Sequence, residues 1–71
     1  MRLVVNGHQL HCRDGLRVSE LLVEHRVKMP EMVSVELNGE ILRRNLFETT
    51  SLKNGDSVEF LYFMGGGNGP G

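Results

Sequence analysis

The chain has 71 residues, eight Lys or Arg against nine Asp or Glu for a net charge of −1, and one cysteine. That length allows one domain, near the lower limit for a core that folds without staples, and a lone Cys12 excludes an internal disulfide framework. The charges are interleaved, which excludes the clustered basic surface that nucleic acid or an anionic membrane calls for. No apolar run approaches the ~20 residues that cross a bilayer. Met1 to Asn6 is too short and too soon polar for a signal peptide. With a single cysteine, which fits a reducing compartment, the chain reads as a soluble cytoplasmic domain.

Residues 1–6 include Leu3, Val4 and Val5 and suit a strand. Asn6-Gly7 is a hairpin signal, because both residues tolerate positive φ. His8 to Cys12 returns as a second strand, with Leu10 and Cys12 on one face and Gln9 and His11 on the other. Asp14-Gly15 is a turn. Val18, Leu21, Leu22 and His25 then fall at i, i+3, i+4 and i+7, which predicts a helix over roughly 18–26. Glu20 in its first turn and His25-Arg26 near its end suit the helix dipole. Pro30 forbids continuation and pushes Met29 toward an extended conformation.

Val33 to Leu37 alternates as a third strand, with Val33, Val35 and Leu37 inward. Asn38-Gly39 is a second hairpin turn, and Glu40-Ile41-Leu42 is a short return. Residues 43–48 lack a period of two and predict an irregular or single-turn segment that drops Leu46, and with it Phe47, onto the core. After the turn at Asn54-Gly55-Asp56, residues 57–63 form the last strand. It is the most apolar of the set, as strands buried on both faces are, so it belongs mid-sheet, beside the first strand and parallel to it. A hairpin, a crossover helix and further strands give an α+β fold. The arrangement is a β-grasp: a mixed sheet of four to five strands with one helix on one face. The domain spans 1–64, and 65–71 is a flexible glycine-rich tail, since glycines lose much backbone entropy on ordering and bury nothing in return.

Several motifs in order carry a family resemblance. They are Val5-Asn6-Gly7, Asp14-Gly15, Val18-x-Glu20-Leu21-Leu22 and Val35-x-Leu37-Asn38-Gly39-Glu40. Leu52-x-Asn54-Gly55-Asp56-x-Val58-Glu59-Phe60 and a terminal glycine pair complete the set. Together, over residues 1–67, the chain resembles the ubiquitin-like sulfur carriers, most closely the ThiS-like family of thiamine biosynthesis. The related MoaD-like subunits of molybdopterin synthase carry prolines before the glycine pair, where this chain has Tyr62-Phe63-Met64.

The resemblance implies that a ThiF-like enzyme adenylates a C-terminal glycine carboxylate with ATP. Sulfur then displaces AMP and leaves a thiocarboxylate for thiazole synthase or another acceptor enzyme. The protein itself is then no enzyme and holds no cofactor or metal; the ATP is used by its partner. The working carboxylate falls on Gly67 or Gly66, with Gly65 as part of the tail. Glycine leaves that carboxylate unhindered, and two or three glycines reach ~7–11 Å into a partner. The family pattern stops at Gly-Gly, whereas this chain continues through Asn68-Gly69-Pro70-Gly71. A peptidase that trims the tail would expose the pair. Leu61, Phe63 and Met64 are the expected docking residues: Leu61 and Phe63 share the sheet face away from Val58, Phe60 and Tyr62, next to the tail.

Other constellations carry less. His11 and Cys12 are neighbours on a strand and face opposite ways, which argues against zinc, and Cys12 reads as a small core residue. Arg43-Arg44 reads as a solvated pair, and Gly65-Gly66-Gly67 has no Lys-Ser/Thr after it to make a phosphate loop. Rival functions are a carrier for another sulfur pathway (amino acid, siderophore or molybdopterin), a ubiquitin-like modifier of lysines, or an interaction module with an inert tail.

Overall fold

The computed structural model describes residues 1–62. Five strands and one helix follow in chain order: β1 (Arg2–Val5), β2 (His8–His11), α1 (Val18–Glu24), β3 (Val33–Leu37), β4 (Glu40–Leu42) and β5 (Ser57–Tyr62). Single 3-10 turns at Pro30–Met32 and Arg44–Leu46 link them. The sheet order is β2-β1-β5-β3-β4, with β1 and β5 parallel and every other pairing antiparallel. The expected α+β, β-grasp architecture is present, with the last strand mid-sheet beside the first.

Two hairpins form where the Asn-Gly pairs stand. Asn6 and Gly7 have φ of 51° and 84°, and Asn38 and Gly39 have 53° and 86°. Two successive positive φ angles give the turn whose twist matches paired strands, and asparagine followed by glycine reaches it at least cost.

The core lies between the sheet and α1. Leu3 and Val5 of β1, Val33 and Val35 of β3, and Val58 and Phe60 of β5 are buried from the sheet side. Val18, Leu21 and Leu22 meet them from the helix, and Leu16, Phe47 and Leu52 close the flanks. Leu10 and Cys12 are half-buried at its margin, as the period-two reading of β2 requires. The helix starts where Glu20 Oε1 accepts the Arg17 N–H at 2.9 Å, which satisfies one orphan donor of the first turn. Its N-terminal end is tied down by Val18 N–H to Thr50 O (3.1 Å) and Ser19 N–H to Phe47 O (3.0 Å).

Three local expectations are corrected. Phe47 is buried and Leu46 is 42% exposed, because the 3-10 turn rotates Leu46 outward before Phe47 reaches the core. Met29 is left-handed at φ 52° rather than extended. Proline after it excludes the right-handed region, and Met29 leaves that region on the other side, where its carbonyl accepts the Met32 N–H at 2.8 Å. β5 is buried on one face only, alternating exposed and buried from Ser57 to Phe60. Its central place follows from its partners on both edges, not from cover on both faces.

Candidate docking face and the root of the tail

β5 has two chemical sides within the sheet plane. Val4 N–H donates to Asp56 O and Asn6 N–H to Val58 O, each at 2.9 Å, so even-numbered residues address β1. Odd-numbered residues address β3: Asn38 N–H donates to Ser57 O at 2.7 Å, and Glu59 and Leu61 lie opposite Glu36 and Ser34. β1 pairs with β5 only at Ser57 and Val58, then turns away at Asn6. The Asn6 side chain fills the next position, its Oδ1 accepting the Phe60 N–H at 2.9 Å.

A matching substitution occurs on the opposite flank. β4 ends at Leu42, opposite Val35. Where its backbone would have met Val33, the Arg44 guanidinium donates instead, to Val33 O at 2.6 Å and to Pro30 O at 2.9 Å. The same group lies 5.3 Å from the centre of the Phe47 ring. Arg44 is therefore a structural clamp, which corrects the reading of Arg43-Arg44 as a solvated pair. Val33 lies opposite Tyr62, so this clamp braces the end of β5 through β3.

Among the described residues, no element covers the face of the sheet turned away from α1. The register sets Glu59, Glu36 and Ile41 in one row across β5, β3 and β4, and Leu61 beside Ser34 in the next row toward the chain end. Leu61 is half-buried and Ile41 is 60% exposed. Among the described residues neither Glu36 nor Glu59 has an ion-pair partner. On the helix side of β5, Phe60 meets the His25 ring edge-on at 5.5 Å, and Tyr62 beyond it is 43% exposed. So Leu61 lies where the strand parity put it. Phe63, Met64, Gly65, Gly66 and Gly67 lie outside the described residues, as does the boundary between body and tail. Ile41 was missed; counting back from the Asn38-Gly39 turn pairs it with Glu36 and would have put it on this face.

Arg13 pairs with Glu24 and, at 3.5 Å, with Glu20 on the exposed helix flank. The hydrogen bond that Arg13 donates to Glu24, joined by the charges of Glu24 and Glu20, raises the guanidinium above its usual pKa. No group of three or more His, Cys, Asp or Glu able to hold a metal occurs among the described residues. No described helix is long and apolar enough to cross a membrane.

Comparison with known proteins settles the family. The ThiS family model matches residues 3–67. The chain belongs to the ThiS family. The crystal structure of a thiamine biosynthesis protein (ThiS) from Geobacter metallireducens superposes with a TM-score of 0.87 at 52% identity, covering 94% of this chain and all of that one. An NMR structure of a thiamine biosynthesis protein from the same organism gives 0.75 at 51% identity, over 96% of this chain and 90% of that one. The expected membership of the ThiS-like family and the β-grasp fold are both borne out. A thiazole synthase of Paramagnetospirillum magneticum (strain ATCC 700264 / AMB-1) is 34% identical over 68 residues. That match takes in 96% of this ThiS-family chain but about a fifth (21%) of the synthase's length. The ycf40 protein of Porphyra purpurea is 29% identical over 63 residues, 89% of this chain and 87% of that one.

Proposed function

We propose that the chain carries sulfur for thiazole formation in thiamine biosynthesis, as a thiocarboxylate on its C-terminal glycine. The observation that carries this reading is the family match, which runs to Gly67 and so takes in Gly66-Gly67. An adenylating ThiF-like enzyme joins the glycine carboxylate to AMP and releases pyrophosphate. A sulfide equivalent from a sulfur donor attacks the carbonyl and expels AMP, leaving –C(=O)–S⁻ as cargo. The carrier contributes no catalytic group and binds no cofactor; its body fixes the tail in the partner's site, and proximity supplies the advantage. The ATP belongs to the activating enzyme, and the cytoplasm, where that ATP is available, is the proposed compartment.

Thiazole synthase is the proposed acceptor, supported by the kinship with a stretch of one such synthase. Leu61 with Ile41, and beyond them Phe63 and Met64, are the proposed docking residues, and Gly65 leads to the working Gly66 or Gly67. Residues 68–71 lie past the family match. A peptidase that removes them exposes Gly67, a freer carboxylate than one following the stiff ring of Pro70.

The test is mass spectrometry after incubation with a ThiF-like enzyme, ATP and a sulfide source. The expected product has one oxygen replaced by sulfur on a chain ending at Gly66 or Gly67. Lysine-linked conjugates instead would make the chain a modifier. A thiocarboxylate on Gly71 would sink the trimming step, and an unchanged mass in chains ending at Gly66, Gly67 or Gly71 would sink the carrier reading.

A further inference from the structure

β5 outruns β1 at the root of the tail. After Val58 the even-numbered backbone groups of β5 face a lane that β1 no longer occupies. Asn6 Oδ1 takes the first of them, the Phe60 N–H. The next two, Phe60 C=O and Tyr62 N–H, have no hydrogen-bond partner among the described residues. On the other edge β3 follows β5 to its end, with Val33 opposite Tyr62. Among the described residues the sheet is thus complete on one side of β5 and one strand short on the other, at its centre and beside the residues that lead into the tail.

Unpaired strand edges attract strands, and native sheets blunt those they do not use with charge, proline or a bulge. None of these devices stands at this edge: the residues are Phe60, Leu61 and Tyr62, and β5 is regular to its end. In a parallel ladder one residue donates its N–H to one carbonyl and accepts from the N–H two residues on. Phe60 C=O and Tyr62 N–H have that spacing, so one residue of an incoming strand continuing in the direction of β1 satisfies both.

We propose that an extended segment of the adenylating enzyme pairs in this lane as an added strand beside Phe60–Tyr62. This rests on the carrier reading above and names how its partner holds the root of the tail. Added-strand recognition takes affinity from main-chain hydrogen bonds and leaves side chains free to confer selectivity. It also fixes the direction in which the chain leaves the body, which side-chain contacts on the open face do not.

The experiment replaces the Tyr62 amide by an ester in the full chain, made by joining synthetic segments at Cys12. The ester lacks the N–H that faces the lane; it also leaves the Leu61 carbonyl, which faces β3, a weaker acceptor. With a ThiF-like enzyme and ATP, at a temperature where the ester variant is fully folded, binding is expected to fall about five- to tenfold, the scale of one hydrogen bond. The Tyr62 amide is expected to exchange with solvent freely in the isolated protein and at least about tenfold more slowly in the complex. An ester variant that binds like the parent, or a Tyr62 amide equally fast in the complex, overturns the added strand and leaves the carrier reading standing. Slow exchange that grows with protein concentration in the absence of enzyme assigns the lane to a second copy of the chain and overturns the proposed occupant. No complex and no adenylation of the parent chain overturns both.

Discussion

Asn6 Oδ1 accepts the Phe60 N–H at 2.9 Å across 54 positions of sequence, so a turn residue in β1's hairpin adds one bond to the ladder that β1's own backbone leaves short. The same residue has φ 51°. One side chain therefore meets two demands, a left-handed turn and a hydrogen bond to the central strand.

Substitution at Asn6 separates them. Asn6→Gly keeps the turn and loses the bond to Phe60, and it is expected to cost about 1 kcal/mol. Asn6→Ala loses both and is expected to cost about 2–3 kcal/mol, since a left-handed non-glycine residue adds about 1–2 kcal/mol. Urea denaturation of the two variants measures the difference. Equal losses would mean that one of the two demands contributes nothing.

Arg44 offers a contrast with its neighbour. Arg44→Lys cannot keep two forked bonds to Val33 O and Pro30 O with the plane over Phe47, and is expected to cost about 1–2 kcal/mol in urea denaturation. Arg43→Ala, an exposed position, is expected to stay within about 0.5 kcal/mol. Similar effects at both positions would overturn the clamp.

Glu36 and Glu59 stand directly opposite one another on the open face. Like charges in that position destabilise a sheet, and opposite charges stabilise it. Glu59→Lys is expected to raise stability by about 0.5 kcal/mol at low salt, and the gain should shrink as salt screens it. The double variant Glu36→Lys with Glu59→Lys is expected to return toward the parent, because it restores a like pair. Thermal melts at two ionic strengths read out all three proteins.

The open face also predicts a separation of folding from docking. Ile41→Asp and Phe63→Asp are expected to lower the rate of adenylation by a ThiF-like enzyme about tenfold, the effect of about 1.4 kcal/mol, the scale of an interface anchor. The melting temperature of Ile41→Asp is expected to change little, given its 60% exposure. A variant of either kind that unfolds belongs to the core instead of the docking face.

Much of this architecture is legible in the residues because local chemistry and tertiary packing agree. Asn6-Gly7 and Asn38-Gly39 demand tight turns, Val18, Leu21 and Leu22 demand a helix facing a core, and Val33-Val35-Leu37 demands a strand. The features that were not legible are those in which one segment answers another. Nothing near Arg44 tells that β4 will stop short of Val33, nor does anything near Asn6 tell that β1 will stop short of Phe60. Leu46 and Phe47 are adjacent apolar residues, and only the rotation of the 3-10 turn chooses between them. Of the candidate site, Leu61 could be placed by strand parity alone, while Tyr62's lane depends on how far β1 runs, a property of the sheet rather than of any stretch of sequence.

The central position of β5 has a mechanical consequence. A chain drawn by its end into a narrow channel transmits the pull to the strand it leaves. Here that strand is flanked by β1 on one edge and β3 on the other, with bonds lying across the direction of the load. A pull along the strand stresses them together in shear, and two neighbouring strands share it where an outer strand would have one. Under the proposed carrier role, a pull by the partner enzyme on the end of the chain would be borne by both neighbours of β5, with the body as its anchor.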